Sequence, residues 1–121
     1  MYAKLIIIGN LGSDPEQRFS PNGDPVTSFS VATSRKYNDK DETTWFRVTV
    51  WDKQAESCAT YLRKGNKVLV EGRLRPDESG GPKAFQRKDG AWGANFDVTA
   101  EAVRFLTPKN GDAPVSFDYS F

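Results

Sequence analysis

The stretch TTWFRVTVW at residues 43–51, continued by DKQAESCATYL at residues 52–62, decides the fold. In its first half, Phe46, Val48 and Val50 fall on one side of the chain. Trp45, Arg47, Thr49 and Trp51 fall on the other, with the two-residue period of a strand. After Trp51 the period changes. Ala55, Cys58, Ala59 and Leu62 recur at i, i+3, i+4 and i+7, the apolar stripe of a short helix. Asp52 is placed to cap that helix and Gly65 to stop it, while Arg63 and Lys64 suit the negative end of its dipole.

The flanking sequence supplies four more strands. Upstream, residues 4–9 hold the run Leu5, Ile6, Ile7, Ile8, closed by Gly9-Asn10. Residues 12–25 are rich in turn formers, and Phe19 within them reads either as a core plug or as the end of a further short strand. Residues 26–33 alternate as a second strand, followed by a polar loop over residues 34–42. Downstream, residues 67–75 form a fourth strand with Val68, Val70 and Leu74 inside and Glu71, Arg73 and Arg75 outside; Gly72 marks a bulge. A long arm rich in Gly, Pro and charge covers residues 76–93. Residues 95–106 make a fifth strand with Phe96, Val98 and Ala100 inward.

Three strands, one helix and two strands predict an all-β fold with one short helix. The layout is that of an OB-fold, a five-stranded Greek-key barrel with the helix across one end and a long hairpin arm between the fourth and fifth strands. Another small barrel or an open five-stranded sheet is the alternative. Residues 1–106 are expected to be the domain and residues 107–121 a short C-terminal tail. One domain is what 121 residues supply.

Composition narrows the function. There is no histidine, and Cys58 is the single cysteine. A Ser-His-Asp triad, a His-ligated metal, a cysteine zinc site and an internal disulfide are thereby excluded. The carboxylates lie scattered, so the expectation is no enzyme, no cofactor and no metal. The chain opens at Met1 without a signal-peptide pattern and has no apolar run near the ~20 residues of a membrane span, which predicts a cytoplasmic protein with no membrane partner. The formal charge of +1 excludes a uniformly basic coat but not a basic patch. Residues 63–88 hold eight cations against three carboxylates, +5 in all, whereas residues 1–62 sum to −1 and residues 89–121 to −3.

Two tryptophans on the outer side of one strand need an explanation. They could lie under a loop or in a subunit interface. They could also form a stacking platform for nucleic-acid bases, with the interleaved Arg47 serving phosphate. The basic belt on the fourth strand and its arm agrees with the second reading. Phe85 sits among the cations of the arm, and Trp92 reads equally as a hinge plug or a ligand contact. Tyr37 lies in the 34–42 loop, with Arg35, Lys36 and Lys40 balanced by Asp39, Asp41 and Glu42.

In five ordered stretches the chain resembles bacterial single-stranded DNA-binding proteins: LIIIGNLGSDPEQRFSPNG, SFSVATSRKYNDK, TTWFRVTVWDKQAE, YLRKGNKVLVEGRLR and AEAVRFL. Together they cover residues 1–106 apart from the arm. The resemblance implies an OB-fold that binds single-stranded DNA without strong sequence preference in replication, recombination and repair. It also implies a homotetramer, built in part through the first strand, and a nucleoid-associated location. It places the base-stacking role on Tyr37, Trp45 and Trp51, and on an arm aromatic for which Phe85 is the first choice and Trp92 the second. Arg35, Lys36, Arg47, Lys67, Arg73 and Arg75 are the candidate phosphate contacts. The family's long linker and acidic Pro-Phe tip, which dock replication and repair proteins, have no close counterpart. The chain ends VSFDYSF, with Asp118 and Phe121 as the candidate partner-binding tip. A primosomal-type OB-fold module for assembling replication proteins is the alternative function, and the aromatic face and basic belt weigh against it.

Overall fold

The computed structural model describes residues 1–107; Asp118 and Phe121 lie outside the described residues. Five strands close into a barrel: β1 (Leu5–Leu11), β3 (Pro25–Tyr37), β4 (Lys40–Trp51), β5 (Lys67–Leu74) and β7 (Trp92–Phe105). Their order around the wall is β1-β5-β7-β4-β3, and β1 returns to β3 at Asn10 and Leu11. This is the OB-fold barrel expected from the sequence. Two short strands lie outside the ring. β2 (Glu16–Phe19) pairs with β3, and β6 (Lys83–Gln86) pairs with the start of β7. Phe19 therefore ends a short strand and is exposed rather than plugging the core.

The interior is built from β-branched side chains. Val31, Val48, Val68, Val70 and Val98 are completely buried and pack with Ile7, Leu11, Phe29 and Val50. Each comes from a strand whose alternate residues face the solvent, so the two-residue period alone sorts them inward. Leu74 and Phe96 share that inward side but are about half exposed, at 55% and 50%. Their strands run past the barrel's rim at that end, so the side chains point into an open mouth instead of a core.

Helix α1 (Asp52–Tyr61) covers the barrel with Ala55 and Cys58 buried, and Leu62 just beyond it. The buried hydroxyl of Thr27 donates to the Ala55 carbonyl at 2.6 Å and fixes the helix to β3. Gln54 reaches β7, donating to the Glu101 carbonyl at 2.9 Å and accepting from the Val103 N–H at 2.9 Å. Those two backbone groups flank a bulge. Glu71 pairs with Ala102 and Gly72 with Ala100, so Glu101 is the extra residue and Gln54 satisfies the groups it leaves unpaired.

Four local expectations change. The expected polar loop 34–42 is almost wholly strand: β3 and β4 pair as far as Tyr37 and Lys40, joined by the two-residue turn Asn38-Asp39. Both turn residues have positive φ (50° and 60°), the backbone of a type I′ hairpin turn. This end of the hairpin projects past the core with both faces solvated, so no apolar alternation reveals it. Asp52 is not the cap: Trp51 takes that position without a side-chain bond, and Asp52 opens the helix at φ 61°. The helix ends at Tyr61, before Gly65, and Arg63 Nη1 donates to the Ala59 and Leu62 carbonyls at its C-terminus. The arm is partly strand as well, since β6 folds back on β7 through a turn at residues 87–91.

Candidate nucleic-acid interface

Register places the candidate residues relative to one another. In-register residues of paired strands share a face, and the parallel pairing of β4 with β7 sets Arg47 beside Asp97 and Thr49 beside Thr99. Trp45, Arg47, Thr49 and Trp51 thus occupy the outer face of β4, continued on β7 by Asn95, Asp97 and Thr99. Trp45 and Trp51 are 53% and 43% exposed. The Trp45 ring lies against Gly12, where any Cβ would collide with its Cζ3 and Cη2 atoms. Glycine there lets the indole lie down on the wall, one face supported and the other open.

The arm extends this surface. Phe85 pairs with Gly93 and Lys83 with Asn95, so Phe85 and Lys83 lie on the same side as Asn95 and Asp97. Lys83 Nζ stands 3.6 Å from Asp97 Oδ2 and ties the arm to the barrel. A Cβ on Gly93 would stand 2.9 Å from Phe85 Cζ and 3.1 Å from Arg87 Nε, so both side chains fold across that glycine. Trp92 pairs with Gln86 and belongs to the opposite face of the hairpin. Geometry thereby separates the two arm aromatics: Phe85 joins the face of Trp45 and Trp51, and Trp92 does not.

The cations divide into two sets. Arg47, Arg75, Lys36 and Lys67 make no ion pair among the described residues. Arg73 Nε sits 2.8 Å from Glu101 and Arg35 Nε 3.5 Å from Glu42. Arg75 donates its N–H to the Asp97 carbonyl, beside the Arg47 row, and Arg73 pairs with Thr99 one row further. Lys67 lies apart from these. The register Trp45, Ala32, Asn10, Lys67 puts it three strands from Trp45, about 14 Å round the wall at ~4.8 Å per strand.

Tyr37 and Arg35 are exposed at the tip of the β3–β4 hairpin, with the Arg35 guanidinium 5.5 Å from the Tyr37 ring centre. By register they lie on the reverse side of the ribbon from Trp45, whereas Lys36 lies on Trp45's side. The structure does not bring Tyr37 onto the platform of Trp45 and Trp51.

Asp97 is the residue that sequence reasoning missed. It stands amid Arg47, Arg75 and Lys83. One carboxylate oxygen faces Lys83, and the other is inaccessible without a hydrogen-bond partner among the described residues. A lone aspartate in an alternating strand gives no signal of this in the sequence. Cys58 offers no chemistry, because burial pushes its thiol up to about 12. Among the described residues no cluster of His, Cys, Asp and Glu could hold a metal, and no helix is long and apolar enough to cross a membrane.

Comparison with known proteins agrees with this surface. Residues 2–106 match the profile of the Single-strand binding protein family. The chain is 39% identical over 124 residues to a protein named "Single-stranded DNA-binding protein" from Neisseria meningitidis serogroup A / serotype 4A, covering 96% of this chain and 68% of the relative. The protein of the same name from N. meningitidis serogroup B matches with the same identity and coverage. A closed OB-fold barrel, aromatic residues laid open on its outer wall and a match running almost from end to end lead to one conclusion: this chain belongs to the single-strand binding protein family.

Proposed function

We propose that the chain binds single-stranded DNA along the outer face of β4 and β7 and the front of the arm, without strong sequence preference. One observation carries the reading: Trp45, Trp51 and Phe85 lie on a single continuous sheet face with Arg47 between the two tryptophans. Exposed aromatic rings stack on any base, and cations without a protein partner pair with phosphate. Arg47 and Arg75 are best placed for phosphate, with Lys36 and Lys67 at the margins. Arg73 and Arg35 must first leave Glu101 and Glu42. Tyr37 contributes a stacking surface at the hairpin tip, reached from the reverse side.

Coating exposed strands in replication, recombination and repair is the role that fits such a surface, and it needs no catalytic group. A homotetramer is part of the same reading. β1 meets β3 only at Asn10 and Leu11, so the rest of that edge, beside the exposed Ile6, is open to pairing with a second copy. Sedimentation that finds only monomer at micromolar concentration would contradict the assembly. The DNA reading is tested by titrating tryptophan fluorescence with oligo-dT. Saturable quenching that weakens with salt is expected, and a flat signal refutes the reading.

A further inference from the structure

Trp92 is left over from the surface described above. It is 71% exposed, and it lies on the reverse face of the β6–β7 hairpin from Phe85. Its cross-strand neighbour there is Gln86, whose amide donates to the Gly90 carbonyl in the turn. The next pair on that face is Ala84 with Ala94, two side chains too small to rise beside an indole. The indole therefore stands open on a low, uncharged strip. A tryptophan so exposed is costly unless something covers it.

The tip of the hairpin says what that is. The turn joining the two faces carries Arg87 and Lys88, neither in an ion pair among the described residues. The one carboxylate in the turn, Asp89, accepts the Ala91 N–H at 3.0 Å. Arg87 lies across Gly93 on the front face beside Phe85. A polyanion leaving Phe85 thus meets Arg87 and Lys88 at the tip before it reaches Trp92. The β3–β4 hairpin has the same two-sided character, with Trp45 on one face and Tyr37 on the other.

We infer that single-stranded DNA passes over the tip of the arm to its reverse face, where Trp92 stacks a further base, so that the hairpin is gripped from both sides. Phe85 is the front contact, Arg87 and Lys88 hold phosphate at the crossing, and Trp92 is the back contact. The occupant is DNA rather than a protein because the way onto this face runs through unpaired cations and is continuous with the proposed interface. The inference rests on the single-strand binding reading.

The chain's three tryptophans make the test separable, since each can be watched alone. A Trp45→Phe/Trp51→Phe variant leaves Trp92 as the only indole and keeps aromatic rings on the platform. A Trp92→Phe variant leaves only the platform indoles. Both are titrated with oligo-dT of about 30 nucleotides, longer than the ~4–16 nucleotides one barrel engages. Binding is followed independently by the anisotropy of a labelled strand. Quenching of the lone Trp92 is expected. Trp92→Ala, at an exposed site that leaves folding intact, should weaken binding by roughly 5- to 150-fold. If the platform indoles are quenched while a lone Trp92 on bound protein is not, the inference is overturned and the DNA reading stands. If Trp92 emission instead changes with protein concentration in the absence of DNA, a second copy covers it and the inference is again overturned. If no variant responds and anisotropy shows no binding, the DNA reading itself has failed.

Discussion

Replacing Arg47 by glutamine tests the electrostatic half of the interface. Arg47 is exposed at the middle of the β4 outer face, between Trp45 and Trp51, and makes no ion pair among the described residues. Its whole charge is therefore available to a phosphate. Each phosphate neutralised on a single strand contributes about −0.7 to the slope of log K against log salt. Losing one contact flattens that slope by about 0.7. A four-fold rise, from about 50 to about 200 mM salt, then narrows the affinity gap between wild type and variant by a factor of roughly 2.6. Fluorescence titrations with oligo-dT at four salt concentrations resolve that difference. Arg73→Gln is the comparison. Arg73 already rests 2.8 Å from Glu101, so part of its charge is spent within the protein and its removal should flatten the slope less. If the Arg47→Gln line runs parallel to wild type, Arg47 touches no phosphate. If Arg73→Gln flattens the slope as much as Arg47→Gln, the division of the cations by their protein partners is wrong.

Trp51→Ala removes one stacking ring and should weaken oligo-dT binding by about 1–3 kcal/mol, read from equilibrium titration at fixed salt; an unchanged affinity would take Trp51 off the platform. Thr27→Val keeps the shape of a fully buried side chain but deletes the 2.6 Å bond that holds α1 to β3. A loss of about 1 kcal/mol in urea unfolding is expected, and an unmoved midpoint would mean that packing alone seats the helix. For Cys58, the unfolded chain releases its thiol proton near the ordinary value of 9.0 and the folded one only at about 12. Stability should therefore fall as pH rises through that window, and Cys58→Ala should remove this share of the alkaline loss. Identical pH slopes for the two proteins, or alkylation of the folded thiol at pH 8 as fast as in urea, would show that the thiol is not shielded.

The barrel was legible because its signals are local. Residues 43–51 alternate strictly, the helical stripe follows at once, and the valines of β5 and β7 repeat the two-residue period. Beyond the barrel the signal thins. The β3–β4 hairpin tip carries polar residues on both faces, and only the Asn38-Asp39 pair marks its turn. Leu74 and Phe96 keep the inward pattern, yet they lie past the rim, and no periodicity states where a barrel ends.

The sequence by itself determined that Trp45, Arg47 and Trp51 share one side of a strand. Side chains alternate every residue whatever the strand pairs with. It determined as well that the positive charge gathers in residues 63–88, and that no histidine or second cysteine is available for catalysis. Only the tertiary structure decided which arm aromatic joins that side. The answer hangs on the register of β6 with β7 and of β7 with β4, and a slip of one residue would exchange Phe85 for Trp92. It likewise decided that Asp97 sits among the cations and that Arg73 and Arg35 are already engaged by carboxylates. Those partners lie 28 residues from Arg73 and seven from Arg35 along the chain, and they meet only once the strands have closed in register.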